Sequence, residues 1–293
     1  MRRLRDRVAI VTGASRGAGR GIALVLGEEG ATVYVTGRSV RRDPTRPDLP
    51  GMTVEDTAEL VASRGGVGIA VRCDHTVDGE VEALFDKVAW EQGYLDLLVN
   101  NVWGGYEEYG GDEAFDAPFW EQPLWRWDKM FQAGVRAHYA ASRLAVPLMA
   151  EKPQPFPRLI VNTTFWDRGK CLSNLPYDLA KTAVNRLAYV MALELREQDI
   201  AAVALSPGWM RTEAVLQHYG TDEAHWQEVA DLAQTESTQY IGRAVAALAA
   251  DRDVMANSGR VLTVGDLARE YGFTDVDGRQ PPAFTMAEQY LRD

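Results

Sequence analysis

The sequence predicts a single doubly wound α/β domain, in which one parallel sheet of about seven strands carries helices on both faces. Short β-branched apolar runs alternate with helix-length segments along most of the chain, which is typical of parallel strands joined by helical crossovers. Glycines follow the first run directly, and no proline- or serine-rich linker divides the 293 residues into two halves. We therefore expect one domain over residues 1–293.

The predicted elements begin with a strand at residues 8–12, a glycine-rich turn and a helix over about residues 19–29. Each later strand is a short run rich in Val, Ile, Leu or Thr. These runs lie at residues 32–36, 69–72, 96–100, 159–163, 201–205 and 260–264. The segments between them are long enough for the helices that parallel strands require.

Three segments are longer than ordinary connections, and loops of such length are usually functional or mobile. They are residues 38–51, rich in Pro and Arg; residues 103–123, rich in Gly, acids and aromatics; and residues 206–239. Residues 265–293 follow the last predicted strand and form a C-terminal extension. This extension either wraps the surface or frays.

The bulk composition excludes several classes of protein. A net charge of −11 and an isoelectric point near 5.0 argue against nucleic-acid or anionic-membrane partners, because phosphate groups require a concentrated positive surface. No apolar run has the length of a membrane span. Cys73 and Cys171 are the two cysteines, and neither has another Cys or His at metal-ligand spacing. We expect a cytoplasmic, reduced and metal-free protein.

The glycine-rich turn at residues 12–19, Thr-Gly-Ala-Ser-Arg-Gly-Ala-Gly, lies where the first strand leads into the first helix. Glycines there let the backbone approach a pyrophosphate at the helix N-terminus. The alternative is a tight turn without a ligand, and the strand-turn-helix context favours the dinucleotide. The predicted contacts are Gly13, Ser15, Arg16, Gly17 and Gly19.

Several motifs together resemble the short-chain dehydrogenase/reductase family over residues 8 to 265. The family's Thr-Gly-x-x-x-Gly-x-Gly pattern is matched within residues 12–19. Asp74 matches its adenine-contacting aspartate, and Asn100 opens its Asn-Asn-Ala-Gly segment, in which Val102 and Trp103 replace Ala-Gly. The segment that approaches the nicotinamide carboxamide is matched by Pro207, Gly208 and Thr212. Residues 36–38 and 134–139 look closest to the branch named dehydrogenase/reductase SDR family member 1.

The resemblance implies a Rossmann-type fold, a nicotinamide dinucleotide cofactor, and hydride transfer between that cofactor and a small-molecule carbonyl or alcohol. It also implies a homodimer or homotetramer built partly through the helix that carries Tyr177. Two rival functions stay open. One is a non-catalytic nucleotide-binding regulator that retains the fold, and the other is dehydration or epimerisation on the same scaffold.

The choice of cofactor depends on the end of the second strand, where an acidic residue would hold the ribose diol of NAD and repel a 2′-phosphate. Gly37 occupies that place, Arg38 follows it, and Arg16 lies in the glycine turn. Two guanidiniums at these positions would clamp the 2′-phosphate. We expect a preference for NADP(H), with NAD(H) as the alternative; two solvated surface arginines are the competing interpretation.

Tyr177 and Lys181 are four residues apart, which places both side chains on one face of the helix after the fifth strand. The ammonium is expected to lower the pKa of the phenol, which then exchanges a proton with the substrate oxygen. The family also carries a serine thirteen residues before the tyrosine to orient the substrate. Thr164 occupies that position, with Thr163 and Ser173 as competitors.

A departure from the family lies in the fourth helix, which often carries an asparagine that holds a water connecting the lysine to solvent. Gly134 stands in its place. Gln132 or His138 are candidates for rebuilding this relay, although a packed core residue is the more ordinary role for His138.

The substrate side is predicted from aromatic residues that follow three different strands, where doubly wound sheets bind ligands. We expect Trp103, Phe165, Trp166 and Trp209 to meet, with the three tryptophans enclosing a hydrophobic or aromatic carbonyl compound. The alternative is ordinary packing beneath the long loops.

Overall fold

The computed structural model describes residues 2–106, 115–151, 156–166, 170 and 174–285. The strands are β1 Val8–Val11, β2 Thr32–Gly37, β3 Val67–Arg72, β4 Leu97–Asn100, β5 Arg158–Thr163, β6 Ile200–Ser206, β7 Met210–Arg211, β8 Glu236–Ser237 and β9 Val261–Thr263. The helices are α1 Gly17–Glu28, α2 Val54–Ser63, α3 Asp78–Gln92, α4 Leu124–Phe131, α5 Ala137–Ala150, α6 Leu175–Glu194, α7 Glu213–His218, α8 Thr238–Ala250 and α9 Val264–Tyr271.

Across the described ranges, seven parallel strands form one sheet in the order β3-β2-β1-β4-β5-β6-β9. This confirms the predicted doubly wound fold. The strand order reverses between β1 and β4, and ligands of such sheets bind in the crevice at the carboxyl ends of the strands beside this reversal. The third strand begins at Val67, two residues earlier than predicted, and includes Gly68. A Cβ there would lie 2.0 Å from the Ala58 carbonyl oxygen of α2, so the glycine serves close helix packing.

The sheet is buried on both faces, which explains the nearly continuous apolar character of its strands. Along β1, Ala9 and Val11 face a core shared with α1 and α8, while Val8 and Ile10 face the core beneath α3 and α5. Helices α1 and α8 approach closely, because a Cβ at Gly21 would lie 1.9 Å from the Thr238 carbonyl oxygen.

The long segment after β6 is ordered by a buried arginine. It contains α7 and the two short strands β7 and β8, which pair with each other. The Arg211 guanidinium lies 3.8 Å from the Trp226 ring centroid and donates to the Thr235 carbonyl oxygen at 3.0 Å. Its Nη2 lies 3.0 Å from a Glu223 carboxylate oxygen and 3.9 Å from one of Asp275, so it connects this segment to the C-terminal extension.

The described part of the C-terminal extension packs on its own chain. The Tyr240 hydroxyl donates to the Pro281 carbonyl oxygen at 3.0 Å. A Cβ at Gly265 would lie 2.2 Å from the Ala283 nitrogen, and the Phe284 ring lies 5.9 Å from that of Phe165. Residues 265–285 of the extension therefore pack against the domain and reach the carboxyl end of β5.

Cys73 follows β3 and is fully buried with a free thiol, and this burial raises the pKa of the thiol to about 12. Cys171 lies outside the described residues. No helix in the described part of the chain combines the length and apolar character needed to cross a membrane. The same part contains no cluster of His, Cys, Asp or Glu suited to a metal ion.

Candidate active site

The start of α6 brings the predicted acid and its lysine together. Asn174 caps this helix by accepting a hydrogen bond from the Tyr177 N–H at 2.9 Å, and its amide donates to the Phe115 carbonyl oxygen at 2.5 Å. Pro176 occupies the first turn, where its missing N–H costs nothing. Lys181 lies one turn later, with Nζ 5.6 Å from the Tyr177 ring centroid.

The Tyr177 ring is enclosed by aromatic rings. Its centroid lies 5.4 Å from Trp103, 5.8 Å from Phe115 and 5.9 Å from Phe165. Burial first, and then Tyr106, which is hydrogen-bonded to the phenol, raise the pKa of Tyr177 well above its usual value. These surroundings raise the pKa of Tyr177, so the phenol is protonated at neutral pH. The lowering of this pKa by Lys181 stays a prediction.

Lys181 rests on an aromatic face. Its Nζ lies 3.6 Å from the Trp103 ring centroid, within the range of a cation–π interaction. Burial lowers the pKa of Lys181 to about 7. Within the described ranges no carboxylate forms a salt bridge with it.

The position of Trp103 explains Gly134. Residues Gln132–Arg136 form a π-helical turn between α4 and α5, a feature often found at functional sites. A Cβ at Gly134 would lie 2.3 Å from Cζ3 of Trp103, so only glycine leaves room for the indole. Gln132 is exposed, which does not favour a role for it in the proton relay.

His138 supports the segment that carries Trp103. Its Nε2 donates to the Val102 carbonyl oxygen at 3.2 Å. Burial, followed by the charge of Lys181, lowers the pKa of His138 to about 3, so the ring is neutral. This matches a packed core residue that positions a loop.

Thr164 lies at the end of β5, but its hydroxyl points to α6. It donates to Oδ1 of Asn185 at 2.7 Å and lies 3.2 Å from the Lys181 carbonyl oxygen. The competing Thr163 hydroxyl lies 3.4 Å from Oδ1 of Asn101, and Ser173 is outside the described residues. At this end of β5 it is Phe165 that contacts Tyr177. An orienting role for Thr164 stays a prediction.

The glycine turn has the geometry that a pyrophosphate requires. Gly13 and Gly17 have φ values of +66° and +58°, a region that favours glycine. A Cβ at Gly19 would lie 2.4 Å from the Gly13 carbonyl oxygen. The Asn101 amide donates to the Thr12 and Gly13 carbonyl oxygens at 3.1 Å, which joins the ends of β1 and β4. These residues fit a dinucleotide.

Asn100, predicted to contact the cofactor, is fully buried. Its amide donates to the Ser142 hydroxyl at 2.9 Å and to Oδ1 of Asn162 at 3.0 Å. The side chain joins β4, β5 and α5 inside the protein, and the neighbouring Asn101 is the asparagine that reaches the glycine turn.

Three arginines lie near one another beside the glycine turn. Arg16 donates to the Thr45 hydroxyl at 3.0 Å, and its pKa is lowered by burial first and then by the charges of Arg46 and Arg38. The sequence did not identify Arg46, because it lies in the Pro- and Arg-rich segment far from any motif. Nearby, Asp74 accepts hydrogen bonds from the backbone and hydroxyl of Thr76.

A carboxylate lies at the start of α1. The Gly17 N–H donates to Glu213 Oε2 at 2.8 Å. The Ser15 side chain is buried within the same turn. Glu213 therefore uses a backbone donor of the helix terminus that would bind a phosphate. Nothing in the sequence distinguished this glutamate.

The Pro207-Gly208 segment and the short strand β7 that follows it lie against β8. Thr212 caps α7 through a hydrogen bond from the Val215 N–H at 3.3 Å. A Cβ at Gly208 would lie 2.6 Å from a carboxylate oxygen of Glu236, a buried side chain whose pKa is raised by desolvation to about 8. This carboxyl group is a further feature that the sequence did not reveal.

The three predicted tryptophans occupy different surroundings. Trp103 contacts Tyr177, whereas the Trp209 ring packs against Tyr219 at 6.3 Å. The backbone N–H of Trp166 donates to the Ser206 hydroxyl at 2.9 Å. Within the described ranges no ring contact joins these tryptophans directly, and their enclosing a substrate stays a prediction. Two of the aromatic residues that were expected to meet, Trp103 and Phe165, both lie against Tyr177. Phe115 and Tyr106, from a segment without periodic pattern, also lie there.

Comparison with known proteins agrees with this geometry. The family model described as Enoyl-(Acyl carrier protein) reductase matches residues 13–265. Dehydrogenase/reductase SDR family member 1 of Homo sapiens is 38% identical over 94% of this chain and 85% of the human protein. The 7alpha-hydroxysteroid dehydrogenase of Escherichia coli K12 is 28% identical over 73% of this chain and 74% of that protein.

A solved short-chain dehydrogenase from Mycobacterium thermoresistibile superposes with a TM-score of 0.80 and 26% identity, over 99% of this chain and 96% of that one. The resemblance of the chain to one branch is confirmed by the human relative. The chain belongs to the short-chain dehydrogenase/reductase family of NAD(P)-dependent oxidoreductases.

Proposed function

We propose that this oxidoreductase uses NADPH to reduce an apolar, ring-bearing carbonyl compound to its alcohol. The observation that carries the proposal is a phenol enclosed by aromatic rings, with the amine of Lys181 one helical turn away. An apolar enclosure favours an apolar substrate, and a phenol can donate a proton to a carbonyl oxygen.

Each group has a defined part in the reaction. A nicotinamide dinucleotide held by the glycine turn would supply the hydride that reduces the carbonyl carbon. Tyr177 donates its phenolic proton to the carbonyl oxygen, so that the product is the alcohol and a phenolate remains. The Lys181 ammonium stabilises that phenolate. The Tyr106 hydroxyl, which is hydrogen-bonded to Tyr177, marks the place that the carbonyl oxygen takes.

The direct test is a panel of carbonyl compounds with NADPH absorbance as the readout. Tyr177→Phe should abolish turnover while leaving the Kd for NADPH nearly unchanged, because only the ionisable oxygen is removed. Lys181→Ala should impair both turnover and cofactor binding. Equal activity of Tyr177→Phe and wild type would exclude this mechanism. NADPH binding without turnover of any compound would instead favour a non-catalytic, nucleotide-binding regulator.

NADPH preference is supported by the convergence of Arg16, Arg38 and Arg46. Titration of NADPH and NADH should show tighter binding of NADPH, and Arg38→Asp should reverse or abolish this difference. Arg196→Asp, at an exposed position before the amino end of β6, serves as the charge control. If Arg38→Asp leaves the preference unchanged, the assignment of Arg38 to the 2′-phosphate fails.

The proposed pocket combines the three tryptophans of the sequence prediction with Phe115, Phe165 and Phe284. A relative named for a hydroxysteroid supports a bulky ring-bearing substrate. Replacing Trp166 or Trp209 with Ala should lower kcat/KM for bulky ketones by about tenfold more than for a minimal ketone. An unchanged substrate profile with lower thermal stability would show that these rings serve only packing.

Assembly as a homodimer or homotetramer is supported by exposed apolar side chains on α5 and α6. They include Tyr139, Leu179, Tyr189 and Leu193. Light scattering should show a dimer or tetramer at micromolar concentration, and a monomer would contradict this. A cytoplasmic location is supported by the free thiol of Cys73, which suits a reducing compartment.

A further inference from the structure

One side chain, Trp103, contacts both groups of the proposed proton-transfer pair. Its ring centroid lies 3.6 Å from Lys181 Nζ, and the ring meets the Tyr177 ring edge to face at 5.4 Å. The indole Nε1 is buried and has no hydrogen-bond partner among the described residues. An unpaired buried donor is costly, so the ring occupies this place for the contacts of its face rather than for its N–H group.

The same indole excludes the side chain that relatives often carry opposite the lysine. A Cβ at Gly134 would lie 2.3 Å from Cζ3 of Trp103, and any larger side chain must displace the ring. Trp103 and Gly134 are therefore coupled: the indole needs the glycine, and an asparagine at residue 134 needs a small residue at 103.

We propose that Trp103 is a positioning residue for Lys181, whose indole face holds the ammonium where the family often uses an asparagine and a water, and that Gly134 exists to admit this ring. The inference deepens the proposed function and rests on it for the role of Lys181 in turnover.

The surroundings of Lys181 make an aromatic partner effective. The groups that face it are the phenol of Tyr177 on its own helix, the indole after β4, and the neutral ring of His138 on α5. The described part of the chain supplies no carboxylate to pair with the ammonium. A cation that is partly withdrawn from water gains more from a π-face than an exposed one does. Trp103 also touches the phenol, so it fixes the separation of the two groups.

The first experiment measures Lys181 without any substrate. The chain has five lysines, so ¹³Cε-lysine labelling gives few NMR signals, and Lys181→Arg identifies that of Lys181. Trp103→Phe keeps a π-face, whereas Trp103→Leu removes it. We expect Trp103→Leu to lower the pKa of Lys181 by about one pH unit and Trp103→Phe to change it much less. An equal pKa in wild type and both variants would overturn the proposal.

The second experiment is a two-by-two cycle on turnover. Gly134→Asn should lose at least about tenfold in kcat/KM, because the new side chain collides with the indole. Trp103→Gly should also lose activity, because the ammonium loses its partner. The double variant should recover well above either single variant, since it restores the family's arrangement. Losses that simply multiply would overturn the coupling.

The two proposals fail differently. If wild type turns over no carbonyl compound while Trp103→Leu still lowers the pKa of Lys181, the proposed function fails and the cation–π contact stands. If wild type is active but the pKa of Lys181 is the same in Trp103→Leu, the proposed function stands and the positioning role of Trp103 is wrong. NADPH titration of each variant identifies those that fold.

Discussion

At Lys181, burial and the neighbouring aromatic face act on one charge in opposite directions. Burial favours the neutral amine and lowers the pKa to about 7, while the face of Trp103 favours the ammonium. Tyr177 next to it stays protonated far above neutral pH. Of these two groups, the lysine is therefore the one whose charge changes within the physiological pH range.

The titration of Lys181 predicts that the rate of carbonyl reduction depends on pH near neutrality. Below about pH 7 Lys181 is an ammonium that stabilises the phenolate formed on proton transfer, and above it the neutral amine gives no such stabilisation. The value of kcat/KM should therefore fall as the pH rises through about 7. Lys181→Arg carries a cation that does not deprotonate, so its lower activity should lack this dependence on pH. A dependence that persists near pH 7 in Lys181→Arg would assign it to another group.

Individual residues show where sequence reasoning succeeds and where it stops. The four-residue spacing identified Tyr177 and Lys181, because the pitch of a helix fixes which side chains share a face. Counting thirteen residues back placed Thr164 directly after β5, but spacing along the chain does not show that its hydroxyl is hydrogen-bonded to Asn185 of α6. Gly134 suggested a lost polar group, whereas the structure shows a place cleared for a ring.

Among the elements, those with a periodic pattern were predictable and the irregular ones were not. The strands of the main sheet were found to within two residues, since their burial on both faces gives continuous apolar runs. The π-helical turn at Gln132–Arg136 has no sequence signal, because it differs from α-helix only in its hydrogen bonds. Trp103 could be placed because it directly follows β4, whereas Tyr106 and Phe115 lie in a segment without any period, so their approach to Tyr177 could not be foreseen.

The junction of α1 and α7 leads to a prediction about cofactor affinity. The Glu213 carboxylate accepts a hydrogen bond from Gly17 N–H, a donor suited to the pyrophosphate, and places a negative charge beside it. Glu213→Gln should tighten NADPH binding about fivefold, measured by fluorescence titration. Glu228→Gln, an exposed position beyond α7, is the control and should change nothing. Weaker binding in Glu213→Gln would show that the glutamate helps to form the site.

At the scale of the whole molecule, segments that are far apart in the sequence pack together beside the sheet. The extension after β9 meets the segment after β6 through the pairing of Arg211 with Asp275, and Phe284 reaches Phe165 beside Tyr177. The sequence marked both segments as unusually long but could not pair them, since neither has a pattern that identifies the other. Such contacts form only after the sheet has brought the two segments close to each other.

Because Cys73 is buried, the rate at which its thiol is chemically labelled can report the opening of the folded chain. A thiol with no exposed surface reacts with a maleimide or disulfide reagent only when its surroundings open, so in a Cys171→Ser background the labelling rate reports that opening. Because NADPH binds the folded chain, a concentration about one hundred times its Kd should slow labelling about a hundredfold under fast reclosing. NADH at the same concentration should slow it less. Labelling that is indifferent to both cofactors would mean that β3 and its neighbours open locally while the cleft stays formed.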